Sequence, residues 1–229
     1  MCGRFSITTA PEALRGMFDY ENLPNLEPRY NVSPTQMIVT IRKHSGGKRE
    51  LVMARWGLIP AWAKDGVNAA RMINARAETV MEKPSFRAAF SKRRCLIPAD
   101  GFYEWQTEDN IKKPFRIGMK DGSVFAFAAL WERWKAKQAG YGYKEGEEIE
   151  TVAIVTTHAN QKLKKIHHRM PVILQPEDYD TWITPANDTS KCHNLLQPFP
   201  SEPMAFYLVG QTVNNPRNDN PKCIEPISA

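Results

Sequence analysis

The 229-residue chain is 42% hydrophobic and 24% charged, with six Trp and ten Phe, an ordinary globular composition able to bury a core. Lys and Arg outnumber Asp and Glu 31 to 25, a formal charge of +6 that is compatible with nucleic acid and far from diagnostic of it. Four widely spaced cysteines with no C-x-x-C pair argue against a disulfide scaffold, and no apolar run reaches the ~18–20 residues that span a bilayer, so a reduced, cytoplasmic protein without a membrane partner is expected.

The elements follow in chain order. "TTAPEALRGMF" predicts a helix with Thr9 at its N-cap and Pro11 in its first turn. "RYNVSPTQ" (29–36) reads as a polar turn. "QMIVTIRK", a Gly46-Gly47 turn and "RELVMARWG" predict a β-hairpin, and "WGLIPAWAKD" an aromatic loop. "INARAETVMEKPSFRAAFSKRR" has helical flavour, broken at Pro84. "RCLIPAD" leads into the strand "GFYEWQ". "KPFRIGM", an Asp121-Gly122 turn and "SVFAFAALWERW" predict a second hairpin. A charged loop precedes the apolar, central strand "TVAIVTT", then a short helix or turn at "NQKLKKIHHR" and a strand at "MPVIL". Two short helices, a late strand "MAFYLV" and a polar tail over about 214–229 complete the chain. Hairpins outnumber strand–helix alternations. The expected fold is therefore α+β: a single domain over 1–229 on a curved, largely antiparallel, barrel-like sheet with short flanking helices.

Several stretches carry chemistry, each with a plainer alternative. Cys2 follows Met1 directly. Removal of Met1 would leave a free α-amine and a thiol on one residue, a pair able to condense with an aldehyde and close a thiazolidine; the plain alternative is an accident of a short N-terminus. In "GFYEWQ", strand alternation puts Glu104 on the face of Phe102, where burial would raise its pKa into the range useful for proton transfer. A solvent-facing edge position is the equal alternative. "KIHHRMP" offers His167 and His168 for proton transfer and Arg169 for a phosphate, or merely a polar turn. Their adjacency, like that of Cys192 and His193, does not suit a zinc site. Asn74 and Arg76 in "MINARAET" offer an amide and a phosphate fork, or a helix start. Trp56 and Trp62 beside Arg55 are either base platforms or core. No G-x-x-x-x-G-K-[ST], G-x-G-x-x-G or G-x-S-x-G motif occurs, so neither a nucleotide cofactor nor a serine hydrolase is expected.

Taken together and in order, "MCGRF", "RYNVSPTQ", "RWGLIPAW", "INARAET", "PADGFYEW" and "IHHRMPVIL" resemble the SOS-response-associated peptidase family, abasic-site processing proteins that crosslink themselves to DNA. The resemblance runs from residue 2 to about residue 213. It implies a nucleophilic Cys2, freed by loss of Met1 through self-processing, that captures the abasic aldehyde as a thiazolidine, with associated Schiff-base and lyase chemistry. It implies that Asn74 places the N-terminus and sugar, that Glu104 is the acid/base group and that His167 transfers protons. Arg4, Arg76 and Arg169 would bind phosphates, and Trp62 would stand at a single-strand/duplex boundary. The implied partner is single-stranded or junction DNA holding an abasic site, bound by a monomer without cofactor or metal and nucleoid-associated when so bound. Nearby arginines are expected to lower the thiol pKa from its ordinary ~8.5. The family usually has Asp where this chain has His168: either an orienting anion is lost and His167 binds its proton less tightly or, more simply, that side chain points away from the site. Two readings compete: a cysteine peptidase built on Cys2, Glu104 and His167, and a DNA-binding module without chemistry.

Overall fold

The computed structural model describes residues 2–22, 24–43 and 47–227; Met1 and Gly46, on which two of the expectations fall, lie outside them. In chain order the described residues form β1 (Phe5–Ile7), α1 (Pro11–Phe18), β2 (Arg29–Val32), β3 (Met37–Lys43), β4 (Arg49–Trp56), β5 (Asn74–Arg76), α2 (Arg87–Lys92), β6 (Arg94–Ala99), β7 (Gly101–Glu108), β8 (Ile111–Met119), β9 (Phe125–Lys135), β10 (Glu148–His158), β11 (Arg169–Pro171), β12 (Ile173–Leu174), α3 (Tyr179–Ile183), α4 (Thr189–Asn194) and β13 (Met204–Leu208), joined by loops and short 3-10 turns.

The apolar β10 is the axis, as its pattern requires of a strand buried on both faces. It pairs with β4, β4 with β3, β3 with β6, β6 with β9, and β9 returns to β10. Five strands thus close a ring and share out their edges among themselves. β5 and β11 extend the far half of β10, β5 in parallel at Ile154–Thr156 and β11 antiparallel at Thr156–His158. A second sheet, ordered β13-β8-β7-β1-β2, lies beside the ring. Phe5 of β1 meets Trp56 and Phe127 of the ring edge-on at 5.4 and 5.9 Å, and Phe102 of β7 meets Phe127 at 6.0 Å. One apolar core therefore joins the two sheets, and the α+β, barrel-like expectation holds. Among the described residues, no helix is long and apolar enough to cross a membrane.

Local readings fare unevenly. α1 forms and buries Leu14 and Phe18, one turn apart, but Ala10 is its N-cap, not Thr9. Pro11 at the first helical position presets the backbone there, and no side-chain cap is made. "RYNV" is a strand, and the polar tail explains it. Asp219 accepts the N–H groups of Tyr30 and Asn31 at 2.5 and 3.0 Å, and Asn31 Nδ2 donates to the carbonyls of Val213, Asn215 and Asn218 at 3.2, 3.1 and 2.6 Å. The tail is accordingly no loose appendage: Val213 and Cys223 are buried with Tyr103. "INARAET" is not helical at its start. Asn74–Arg76 adds to β10, buries Ala75, and only then turns into a 3-10 turn at Ala77–Thr79. The Asp121-Gly122 turn exists, with Gly122 at φ 74°, yet the strands it joins part company. β9 is buried along Phe125–Leu130 and is taken into the ring, while the half-buried β8 stays between β7 and β13.

Candidate active site at the seam of the two sheets

The site follows from the register of β1 on β7. Phe5 pairs with Phe102 and Ser6 with Gly101, antiparallel, and Tyr103 N–H donates to Arg4 O at 2.9 Å. Continuing that register backwards sets Gly3 opposite Glu104, which shares the face of Phe102, and the adjoining Cys2 lies close enough to feel the Glu104 charge. Asn74, at the start of β5, donates from Nδ2 to Cys2 O at 2.9 Å. His167 follows the 3-10 turn Leu163–Lys165 and stands with Nδ1 4.0 Å from Glu104 Oε1. Four separate segments, from the N-terminus, β5, β7 and the β10–β11 connection, thus converge. Cys2 is 0% and Glu104 4% exposed. Asn74 Oδ1 is buried and has no hydrogen-bond partner among the described residues, an acceptor suited to a ligand hydroxyl or amine.

Burial dominates the electrostatics. It pushes the Glu104 carboxyl above the ordinary carboxylate range, which is the buried one of the two alternatives the strand pattern left open. It pushes the Cys2 thiol well up, with the Glu104 charge adding to it against the opposing Arg4 backbone N–H. The expectation that arginines lower the thiol pKa is therefore corrected: burial sets the direction, and Arg4 enters only through its backbone N–H. His167 is held below the ordinary imidazole range by burial, with the Arg169 charge adding to it. Its Nδ1 lies 3.0 Å from the Arg169 backbone nitrogen and 3.1 Å from the Arg169 carbonyl oxygen, so Arg169 meets that nitrogen in either ring tautomer. His168 is exposed, with its ring stacked on that of His167 at 4.4 Å, and the His167 charge lowers its pKa.

The other candidate residues differ in how free they are. Arg76 is exposed and leaves β5 on the same face as Asn74, two residues away. Trp62, in the loop after β4, is 62% exposed, whereas Trp56 is core. Trp62 borders a groove of about 360 Å³ with Lys64, Asn68, Arg71 and Met72, the last two residues from Asn74. Arg4 is half-buried. Its Nη1 donates to Asn31 Oδ1 at 2.7 Å and to Val213 O at 2.6 Å, and it lies over Trp105, so it anchors the tail. Arg169 gives its fork to Glu78 and Thr156. Neither commitment was visible in the sequence, which shows that a residue is cationic but not which anion or carbonyl meets it. Among the described residues no cluster of three or more His, Cys, Asp or Glu is placed to hold a metal ion.

Residues 1–216 match the family described as SOS response associated peptidase (SRAP). The chain belongs to this family. Within SRAP it is 44% identical over 230 residues to the abasic site processing protein YoqW of Bacillus subtilis, covering 98% of this chain and 99% of that one. It is 28% identical over 270 residues to the abasic site processing protein HMCES of Gallus gallus, covering 99% of this chain and 78% of that one. A crystal structure of a Bacteroides thetaiotaomicron protein matches with TM-score 0.87 at 30% identity, over 99% of this chain and 100% of that chain. The SRAP match spans every element that builds the site, from Cys2 to His167.

Proposed function

We propose that this SRAP protein processes abasic sites in DNA by capturing the ring-opened sugar aldehyde on the amine and thiol of Cys2 once Met1 has been removed. The observation that carries the reading is the convergence of Cys2, Asn74, Glu104 and His167 at one buried seam. The names of its relatives supply the substrate class.

In the chemistry we propose, Glu104, its proton affinity raised by burial, gives a proton to the sugar ring oxygen as the C1–O bond breaks, and the C1 hydroxyl releases its proton to water as it becomes the aldehyde oxygen. The α-amine of Cys2 adds to the aldehyde carbon, and loss of one water leaves the imine. The Cys2 sulfur then bonds to the imine carbon, and the thiol proton passes to the nitrogen, closing the thiazolidine. Proton loss from the carbon beside the imine is the competing route and leads to strand cleavage. His167, its proton affinity lowered by burial, is suited to exchange protons with sugar oxygens. Asn74 holds the Cys2 carbonyl and offers Oδ1 to the substrate.

Burial pushes the Cys2 thiol up and the His167 imidazole down, away from the thiolate–imidazolium pair on which a cysteine peptidase runs, which favours the aldehyde reading over general proteolysis. Removal of the chain's own Met1 remains within the proposal, because an intramolecular attack needs no peptide site. An abasic site has no base to read, so single-stranded DNA would be held by charge and stacking at Arg76 and Trp62. One chain supplies all the groups invoked, which supports action as a monomer.

The test is a denaturing gel of mature protein, its loss of Met1 confirmed by intact mass, with a single-stranded oligonucleotide carrying one abasic site. A persistent protein–DNA band that requires both the lesion and Cys2 supports the reading. The Cys2→Ala protein should instead give cleaved DNA and a band only after borohydride reduction. No band from mature wild type rejects it.

A further inference from the structure

Arg169 opens β11, and its guanidinium does not face solvent. It reaches across β10: Nη1 donates to Glu78 Oε1 at 2.5 Å, and Nη2 to Glu78 Oε2 at 3.0 Å and to Thr156 O at 2.6 Å. The Arg169 side chain is 12% exposed, and its bond to Glu78 holds that carboxyl below the ordinary range. The two-bonded pairing of a planar fork with a carboxylate fixes orientation as well as distance.

What this ion pair joins is informative. Thr156 of β10 is flanked by Arg76 of β5 on one side and Pro171 of β11 on the other. Glu78 lies in the 3-10 turn that continues β5, the strand whose Asn74 holds Cys2 O. Arg169 carries the N–H that meets His167 Nδ1. Both β5 and β11 are only three residues long, so few ladder bonds hold either in place. The segment that holds the nucleophile and the segment that orients the histidine are therefore tied over the top of β10 by one carboxylate.

We propose that Glu78 is a positioning residue: its ion pair with Arg169 latches the Asn74–Glu78 segment to the His167–Arg169 segment across Thr156, and thereby sets the Cys2 carbonyl and the His167 ring at their working separation. The proposal rests on the aldehyde-capture reading for its catalytic consequence. Without DNA, the Arg169 fork is thus committed to the protein's own carboxylate. The charged and titratable groups around His167 are Glu104, His168 and Arg169. Removing the Glu78 charge leaves the Arg169 cation uncompensated beside the ring, which lowers the proton affinity of His167.

The experiment compares mature wild type, Glu78→Gln and Glu78→Asp by three readouts: single-turnover crosslinking to an abasic oligonucleotide, binding of an oligonucleotide carrying an unreactive tetrahydrofuran abasic mimic at several salt concentrations, and NMR titration of the His167 ring. For Glu78→Gln the expected result is a crosslinking rate lower by roughly 10- to 100-fold, the cost of a small misplacement at a distance. Mimic affinity and its salt dependence stay as in wild type, and the His167 titration moves to lower pH. Glu78→Asp, which keeps the charge, restores part of the rate and of the titration. Tighter mimic binding with a steeper salt dependence in Glu78→Gln, at an unchanged rate, overturns the latch and makes Glu78 a competitor of phosphate for Arg169. An unchanged His167 titration in Glu78→Gln overturns it as well. If wild type itself forms no crosslink, the capture reading fails, while the titration still decides the latch.

Discussion

Two buried polar clusters lie on the same pair of strands, four residues apart on the chain, and they are built in opposite ways. At the head of β7, Asp100 accepts from Ser6 Oγ at 2.6 Å, from the N–H and hydroxyl of Thr8 at 2.5 and 2.7 Å, and from Arg116 Nη2 at 2.9 Å. Arg116 also donates to Asp100 O at 3.1 Å and to Tyr207 OH at 2.9 Å. Gly101 makes room for this, since a Cβ there would stand 2.5 Å from the guanidinium carbon of Arg116. Every oxygen of that carboxylate has donors. Further along β7, Glu104 is equally buried, but it faces a thiol and an imidazole that burial keeps neutral, beside an amide oxygen with no partner among the described residues. The first cluster commits its polar groups to holding β1 in register; the second sets a thiol, an imidazole and an amide around its carboxyl. Two carboxylates of similar burial thus differ in the chemistry of the groups around them, not in their burial.

Substitutions at the two clusters should separate accordingly. Glu104→Gln should slow crosslinking by roughly 10²- to 10⁴-fold while leaving the fold intact, checked by single-turnover kinetics and circular dichroism. Asp100→Ala should do the reverse. Stranding a buried Arg116 costs about 3–5 kcal/mol, a fall in Tm of roughly 6–20 °C for a chain this long, with a rate per folded molecule far closer to wild type than that of Glu104→Gln. If Asp100→Ala keeps its Tm and loses its rate, the division between the clusters is wrong.

Smaller effects sharpen the same contrast. Trp62→Ala should weaken single-stranded DNA binding by about 1–3 kcal/mol in fluorescence anisotropy, and its 62% exposure implies no loss of Tm. Stability against pH gives the subtlest test. Because burial raises the Glu104 pKa in the folded state, ionising that carboxyl costs folding free energy: the stability is intact below the unfolded-state value of ~4.3 and is lost as pH rises through the folded one. Glu104→Gln removes that loss. Its Tm should exceed that of wild type at pH 7–8, by an amount that reads the cost at about 2–4 °C per kcal/mol, and the gap should close as pH falls towards 4.

How much of this was legible in the sequence depends on the kind of signal. The face of Glu104 was legible because strand alternation is strict, and the centrality of β10 because its apolar run leaves no polar face. The position of Asn74 was not. Ala, Arg and Glu favour helix locally, and only the open edge of β10 turns Asn74–Arg76 into a strand. The β8–β9 turn was visible, but not that its arms enter different sheets, because a turn records local geometry and not the partners of what it joins. The packing of the polar tail was not visible because its partners, Arg4, Tyr30 and Asn31, lie at the other end of the chain. Composition located the cations, and only the fold shows that Arg4 and Arg169 meet the protein's own carbonyls and carboxylates.

The most direct test of the capture mechanism is the intact mass of the complex formed between mature protein and an abasic oligonucleotide without reductant, followed by peptide mapping. The expected mass is protein lacking Met1 plus oligonucleotide less one water, with the DNA remnant on the N-terminal peptide at Cys2 and no free thiol there. An adduct of that mass elsewhere in the chain, or one that persists in Cys2→Ala without reductant, would contradict it.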